Sequence, residues 1–264
     1  MNYKKENKEA WNEAFFAHKK GWEKSPVETS LLRGEWLINN PLIAELENIG
    51  IKGKCLGQLC CNNGRELLSV LKMGAAKGYG FDIADNFITE AKRLACLLNL
   101  PAEFITSDIP EIPEDYNKKC DILIITIGAL CWFQDLFPFF SKAADLLKTG
   151  GWIIINEQHP FTDMIAAPGE AEFDESSPNT PKHSYFRKEP WIESQGMDYI
   201  GGTLYNSKTF YSFSHSMSEI INNLSLNNFH IKKLQEYDYD ISSRFSHLSQ
   251  KGWPLSYLLS AQKV

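Results

Sequence analysis

The sequence predicts a three-layer α/β sandwich: a seven-stranded, mostly parallel sheet between helical layers, with an antiparallel last strand pair. Three observations carry this. From residue 54 to residue 156, short apolar runs alternate with amphipathic helical runs. The runs at 121–126 and 152–156 are almost unbroken in their apolar character, as strands covered on both faces are. The last two strand-like runs, 230–237 and 255–261, have no helical run between them, so they are expected to pair antiparallel at the sheet edge.

The elements follow in order. Residues 4–20 read as a helix with Trp11, Phe15 and His18 on one stripe. Residues 41–49 read as another, with Pro41 in its first turn and Gly50 as its stop. Residues 54–59 form a buried strand, and 64–73 a helix that turns Leu67, Leu68 and Leu71 inward. A strand at 77–81 and a helix at 84–98 come next. Phe87, Ile88, Ala91, Leu94, Ala95 and Leu98 share that helix's apolar face. Residues 103–106 give a short strand and 121–126 a central one. A helix around 138–148 ends at Thr149-Gly150-Gly151, and the strand 152–156 follows.

After His159-Pro160 the alternation stops. Residues 160–196 are rich in Pro, Glu and Ser and read as irregular, while 197–204 and 208–214 read as a hairpin around Tyr205-Asn206-Ser207. The helix at 216–227 opens on a capping box, Ser216 with Glu219, and carries Met217, Ile220, Ile221 and Leu224 as its apolar face. The expected organisation is a helical extension or lid over 1–50, a core over 51–159 and 215–264, and an insertion over 160–214. The stretch 160–213 contains ten aromatic residues, Tyr185 and Trp191 among them. Above the C-terminal ends of parallel strands, such a segment suits a cap over an apolar acceptor; the alternative is the contact face of a homodimer.

Composition narrows the function. A net charge of −6 argues against a basic groove for nucleic acid. No run approaches the 18 apolar residues of a membrane span, and no apolar stretch follows the charged first residues as in a signal peptide. The six cysteines form no CxxC pair, which argues against zinc, and none has an adjacent activating motif. A reduced, cytoplasmic chain without metal, nucleic-acid or membrane partner is expected.

The ligand signal lies between the first predicted strand and its helix. Cys60-Cys61-Asn62-Asn63-Gly64 is a turn of small residues at a helix N-terminus, and Asp82 closes the next strand eighteen residues past Gly64. That pairing suits a nucleoside-bearing ligand.

Here the chain resembles the class I S-adenosylmethionine-dependent methyltransferases of the small-molecule type. The resemblance covers roughly 50–160 and 215–262. It is carried by Leu56-Gly57-Gln58-Leu59-Cys60-Cys61-Asn62-Asn63-Gly64, Gly80-Phe81-Asp82-Ile83, Thr106-Ser107-Asp108-Ile109, Cys131-Trp132-Phe133-Gln134-Asp135-Leu136 and Leu146-Leu147-Lys148-Thr149-Gly150-Gly151-Trp152. The first motif departs from the family pattern. Gln58 stands where an acid is usual, and Cys60 and Asn62 stand where glycines are usual, leaving Gly64 alone. Asn tolerates the left-handed conformation better than most residues, so the turn stays feasible.

The resemblance implies a Rossmann-like core, S-adenosyl-L-methionine as cofactor and a small-molecule methyl acceptor. It implies a cofactor site of Gln58, Cys60, Asn63, Gly64, Asp82, Ile83, Asp108, Ile109 and Thr126. Asp82 would take both ribose hydroxyls, though it also suits a helix cap. Ile83 would lie on the adenine face, Asp108 would accept from the adenine amino group, and Gln58, Asn63 and Gly64 would hold the methionine moiety. Thr126 and Gly128 would line the cleft near the sulfonium. His159 and His215 are the candidate catalytic bases, with Glu157 a weaker one; each histidine also suits a loop-orienting role. Two other readings stay open, a non-catalytic binder of the same cofactor and a nicotinamide oxidoreductase. The missing GxGxxG glycines weigh against the second.

Overall fold

The computed structural model describes residues 2–24, 26–197, 202 and 204–264. The elements are α1 (Tyr3–Lys24), α2 (Val27–Leu32), α3 (Asn40–Ile49), β1 (Cys55–Leu59), α4 (Arg65–Leu71), β2 (Lys77–Asp82), α5 (Asp85–Leu98), β3 (Ala102–Thr106), β4 (Cys120–Thr126), α6 (Leu136–Leu146), β5 (Leu147–Gln158), β6 (Trp191–Glu193), β7 (Phe210–Ser212), α7 (Met217–Leu226), β8 (Phe229–Tyr237) and β9 (Ser256–Lys263). Seven of the strands form one sheet in the order β3-β2-β1-β4-β5-β9-β8. The first five are parallel; β9 runs antiparallel to both β5 and β8. The expected Rossmann-like sandwich is the observed one.

Strand alternation builds the two cores. On β4, Ile122 and Ile124 join Leu67 and Leu71 of α4 and Phe87, Ala91 and Leu94 of α5 on one face. Their neighbours Leu123 and Ile125 join Phe139, Phe140 and Ala143 of α6 and Ile220 and Leu224 of α7 on the other. Every one of these residues is buried to within 4% of its surface. At about 1.5–3 kcal/mol for each large apolar side chain removed from water, this two-sided burial holds the sheet together. Gly57 on β1 shows how tight the packing is: a Cβ there would lie 2.4 Å from Leu123 Cδ2.

Helix signals landed where expected. Asn39 caps α3, with Leu42 N–H donating to its Oδ1, Pro41 lies in the first turn, and Gly50 closes the helix at φ 86°. Ser216 Oγ caps α7 by accepting from Glu219 N–H. Two expectations are corrected. Thr149-Gly150-Gly151 does not end a helix: α6 stops at Leu146, and the glycines lie inside β5. Cys120 pairs with Leu147 and Ile122 with Trp152, so residues 148–151 loop out of the ladder as a bulge.

The second correction concerns the insertion. Part of the expected hairpin strand 197–204 lies outside the described residues. The partner of β7 is instead β6, with Trp191 opposite Ser212 and Glu193 opposite Phe210. Trp191 Nε1–H donates to Ser214 Oγ at 2.9 Å, which fixes this register beyond what a three-residue strand could do by propensity. Helix α2 is six residues long and gives no periodic signal.

Candidate active site

The strand order reverses between β1 and β4, the place where open α/β sheets hold ligands beyond the C-terminal ends of their strands. A cavity of about 670 Å³ opens there. Its floor comes from strand ends: Cys60, Cys61 and Asn62 after β1, Asp82 and Ile83 after β2, Ser107, Asp108 and Ile109 after β3, and Thr126, Ile127 and Gly128 after β4. Its roof comes from Tyr3, Lys4, Asn7 and Trp11 of α1, from Trp132 to Asp135, and from Glu193, Ser212 and Phe213 beside the small sheet.

The turn after β1 takes three left-handed residues to bring the chain into α4: Cys60 at φ 56°, Asn62 at φ 50° and Gly64 at φ 74°. Cys60 and Asn62 thus adopt the backbone that glycine favours, at a cost of the order of 1–2 kcal/mol for the cysteine. Gly64 is fixed by space as well, because a Cβ there would meet the Phe104 ring at 2.5 Å. Asn62 N–H donates to Asp82 Oδ2 at 2.8 Å and Ala84 N–H to Asp82 Oδ1 at 2.9 Å. Asp82 therefore ties the turn to the start of α5 while each oxygen keeps a lone pair for a further donor. Burial pushes its pKa up against these N–H groups.

Gln58 is buried and fully used. Its Nε2–H donates to Glu66 Oε2 at 2.7 Å and to Thr126 Oγ1 at 3.1 Å, and its Oε1 accepts from Leu67 N–H. Thr126 Oγ1 donates to the same Glu66 oxygen. Glu66 lines the cavity, so α4 brings a carboxylate to it beside the Gln58 amide. Glu66 is not among the residues the sequence singles out; its place in the first turn of the helix after the motif was the available signal.

The expected site residues divide cleanly. Cys60, Asp82, Ile83, Asp108, Ile109 and Thr126 line the cavity; Gln58, Asn63 and Gly64 lie behind it and shape the turn. Asp108 is held by Lys4 of α1, Nζ to Oδ2 3.3 Å, and Lys4 also pairs with Glu111. Burial raises the Asp108 pKa, opposed by that lysine.

Neither histidine is among the cavity-lining residues. His159 Nε2 meets Glu236 Oε1 at 2.9 Å, and its Nδ1 accepts from Phe161 N–H at 3.0 Å, so both ring nitrogens are used in capping the turn after β5. His215 Nε2 donates to the Phe133 carbonyl at 2.8 Å, and its Nδ1 lies 3.7 Å from Glu219. Burial lowers both histidine pKa values. These contacts give the pair scaffold work.

Glu157 has a more pointed role. Its Oε1 accepts from Ala129 and Leu130 N–H at 2.7 and 3.3 Å, and its Oε2 from Gly128 and Gln158 N–H at 2.8 and 3.1 Å. One carboxylate thus holds the loop that carries Gly128, Cys131 and Trp132 to the cavity. Burial outweighs the four donors and raises its pKa to about 7. The cavity thiols of Cys60 and Cys131 are pushed far up by burial and stay protonated, so they are poor nucleophiles.

On α1, Trp11 faces the cavity, whereas Phe15 and His18 pack on Phe87 and Trp22. All six cysteines are free thiols. Among the described residues no helix is long and apolar enough to cross a membrane.

One cavity thus has a floor of strand-end acids flanked by isoleucines and a partly aromatic roof, on an α/β fold whose strand ends hold ligands. Comparison with known proteins agrees. Residues 58–151 match a family model described as a methyltransferase domain. The chain is 25% identical over 197 residues to an uncharacterised Haemophilus influenzae protein, covering 70% of this chain and 71% of that one. It is 23% identical over 144 residues to a tRNA U34 carboxymethyltransferase of Campylobacter jejuni, covering 53% of this chain and only 48%, about half, of that enzyme. The crystal structure of an S-adenosylmethionine-dependent methyltransferase from Mesorhizobium loti superposes with a TM-score of 0.62 at 17% identity, over 83% of this chain and 96% of that one, a likeness of fold. Residues 58–151 thus match a methyltransferase domain, on the fold that S-adenosylmethionine-dependent methyltransferases have.

Proposed function

We propose that this protein methylates a small organic acceptor bound under α1 and the insertion. One observation carries the reading: a single cavity joins the strand-end acids Asp82 and Asp108 to the rings of Trp11, Trp132 and Phe213. S-adenosyl-L-methionine, when bound, supplies a methyl group activated as a sulfonium. The residues present fit it. Asp82 has a lone pair on each oxygen for a vicinal diol, Ile83 and Ile109 offer apolar flanks to a purine, and Asp108 accepts from an exocyclic amine. Glu66, held by Gln58 and Thr126, suits the amino-acid ammonium, and Arg65 at the start of α4 suits its carboxylate. Asn63 and Gly64 act through the turn they build.

The protein's own contribution is position and dryness. The loop clamped by Glu157 sets the wall near the transferred group, and the aromatic roof keeps water from competing with the acceptor. In this reading residues 1–50 are a lid, residues 160–214 a cap, and His159 and His215 are bases only after a rearrangement that frees their rings. A small acceptor is favoured over an RNA by the roof, which α1 closes across the cavity. Acids also outnumber bases among the lining residues, which opposes a polyanion.

Titration calorimetry with S-adenosylmethionine, S-adenosylhomocysteine and NAD tests the proposal. Micromolar binding of the first two and none of NAD is expected; binding of NAD alone would overturn it.

A further inference from the structure

We propose that the acceptor half of the cavity takes an organic cation, so that the methyl acceptor is an amine, with Glu193 as its counter-ion and the rings of Trp11, Trp132 and Phe213 as its walls. This rests on the methyl-transfer reading above and names its substrate class.

The first argument is the shape of the aromatic wall. Trp11 and Trp132 meet edge to face at 5.2 Å and 85°, and Tyr3 meets Phe213 at 5.3 Å and 72°. All four line the cavity. A ring face is the electron-rich surface that attracts a cation, and four rings along this wall give the acceptor half of the cavity the means to offer one.

The second argument is how the charges are paired. Of the cations lining the cavity, Lys4 is held by Asp108 and Glu111, and Arg244 is held by Glu170. Arg65 lies on the cofactor side, at the start of α4. On the acceptor side Glu193 also lines the cavity, and its carboxylate has no hydrogen bond or ion pair among the described residues. An anionic acceptor would meet repulsion there, and a neutral one would leave Glu193 without use. A cation satisfies both the carboxylate and the rings.

The chemistry closes on the same arrangement. The bound ammonium first loses a proton to solvent along the exposed Glu193 carboxylate. The nitrogen lone pair then forms the N–C bond to the methyl carbon, whose bond to sulfur breaks with the electron pair left on sulfur. Nitrogen regains its positive charge in the product, between the rings and Glu193 that held it at the outset.

The test uses three probes of one size on the full chain saturated with S-adenosylhomocysteine: phenyltrimethylammonium, its neutral isostere tert-butylbenzene, and phenylacetate. Binding is read by quenching of tryptophan fluorescence and by calorimetry. The cation is expected to bind at least about 10-fold more tightly than the isostere, the order expected of ring faces plus one carboxylate. Glu193→Gln should remove most of that advantage, and Glu193→Lys should turn the order in favour of phenylacetate. Glu193 is exposed on a short strand, so both variants leave the core intact. Equal binding of cation and isostere, or tightest binding of phenylacetate by the unaltered chain, overturns the proposal. Failure of S-adenosylhomocysteine itself to bind overturns the methyl-transfer reading instead, and the amine goes with it.

Discussion

Glu157→Gln keeps the shape of the side chain under the Gly128–Leu130 loop and removes its titration. In the unfolded chain this carboxyl ionises near its ordinary value of 4.5; in the fold, burial raises it to about 7. Between those values the folded protein holds a proton that the unfolded chain has released. The stability tied to this proton is therefore complete below pH 4.5 and is lost as pH rises through 7, about 3 kcal/mol in all. The glutamine variant has no such slope. It pays a different penalty at every pH, because its amide NH2 faces two of the four backbone donors that the carboxylate satisfied. Two unsatisfied buried N–H groups cost about 2–4 kcal/mol together. Relative to the parent, the variant should therefore gain about 2–3 kcal/mol of stability between pH 5 and pH 8. Urea unfolding midpoints of both proteins at pH 5, 6, 7 and 8 measure this directly. Parallel curves across that range would show that Glu157 is ionised throughout and that the reasoning is wrong.

Asp82→Ala should weaken S-adenosylmethionine binding at least about 100-fold by calorimetry, since two charge-assisted hydrogen bonds are lost together; near-native affinity would remove Asp82 from the ribose role. The same variant frees Asn62 and Ala84 N–H and should lower stability by about 1–3 kcal/mol. Gly64→Ala should cost at least about 2 kcal/mol in chemical unfolding, combining a left-handed backbone with a Cβ 2.5 Å from Phe104; unchanged stability would mean the turn is built otherwise. His159→Ala should lower stability by about 1–2 kcal/mol and leave cofactor affinity unchanged, as expected of a residue that caps a turn. Loss of kcat in that variant with normal stability would return His159 to the chemistry.

The sheet was readable because its signals are local. The apolar runs on β1, β4 and β5 and the helix signals at Pro41, Gly50 and Ser216 need no distant partner to be recognised. Strand ends were equally readable as places for ligands, and six of the nine expected cofactor positions do face the cavity. What escaped depends on distant partners. Glu236, which takes up the His159 ring, is 77 residues away in sequence, and Phe133, which takes up His215, is 82 away. No spacing rule reports such pairs, so a histidine beside a strand end stayed open to both catalysis and scaffolding. The turn after β1 was readable in shape despite its lost glycines, because Asn62 tolerates the left-handed region. The place of Glu66 beside it was not, since that depends on the Gln58 amide bridging two side chains.

Asn7 exchanges both side-chain bonds with the backbone of Tyr211, 204 positions later. During synthesis α1 therefore emerges long before the strand it must grip. At bacterial-to-eukaryotic elongation speeds that wait is roughly 10–40 s. Its aromatic stripe meets Phe87 early, but the side that closes over the acceptor stays uncovered until nearly four-fifths of the chain has left the ribosome. The roof therefore closes only late in synthesis, although β8 and β9 still have to join the sheet after it.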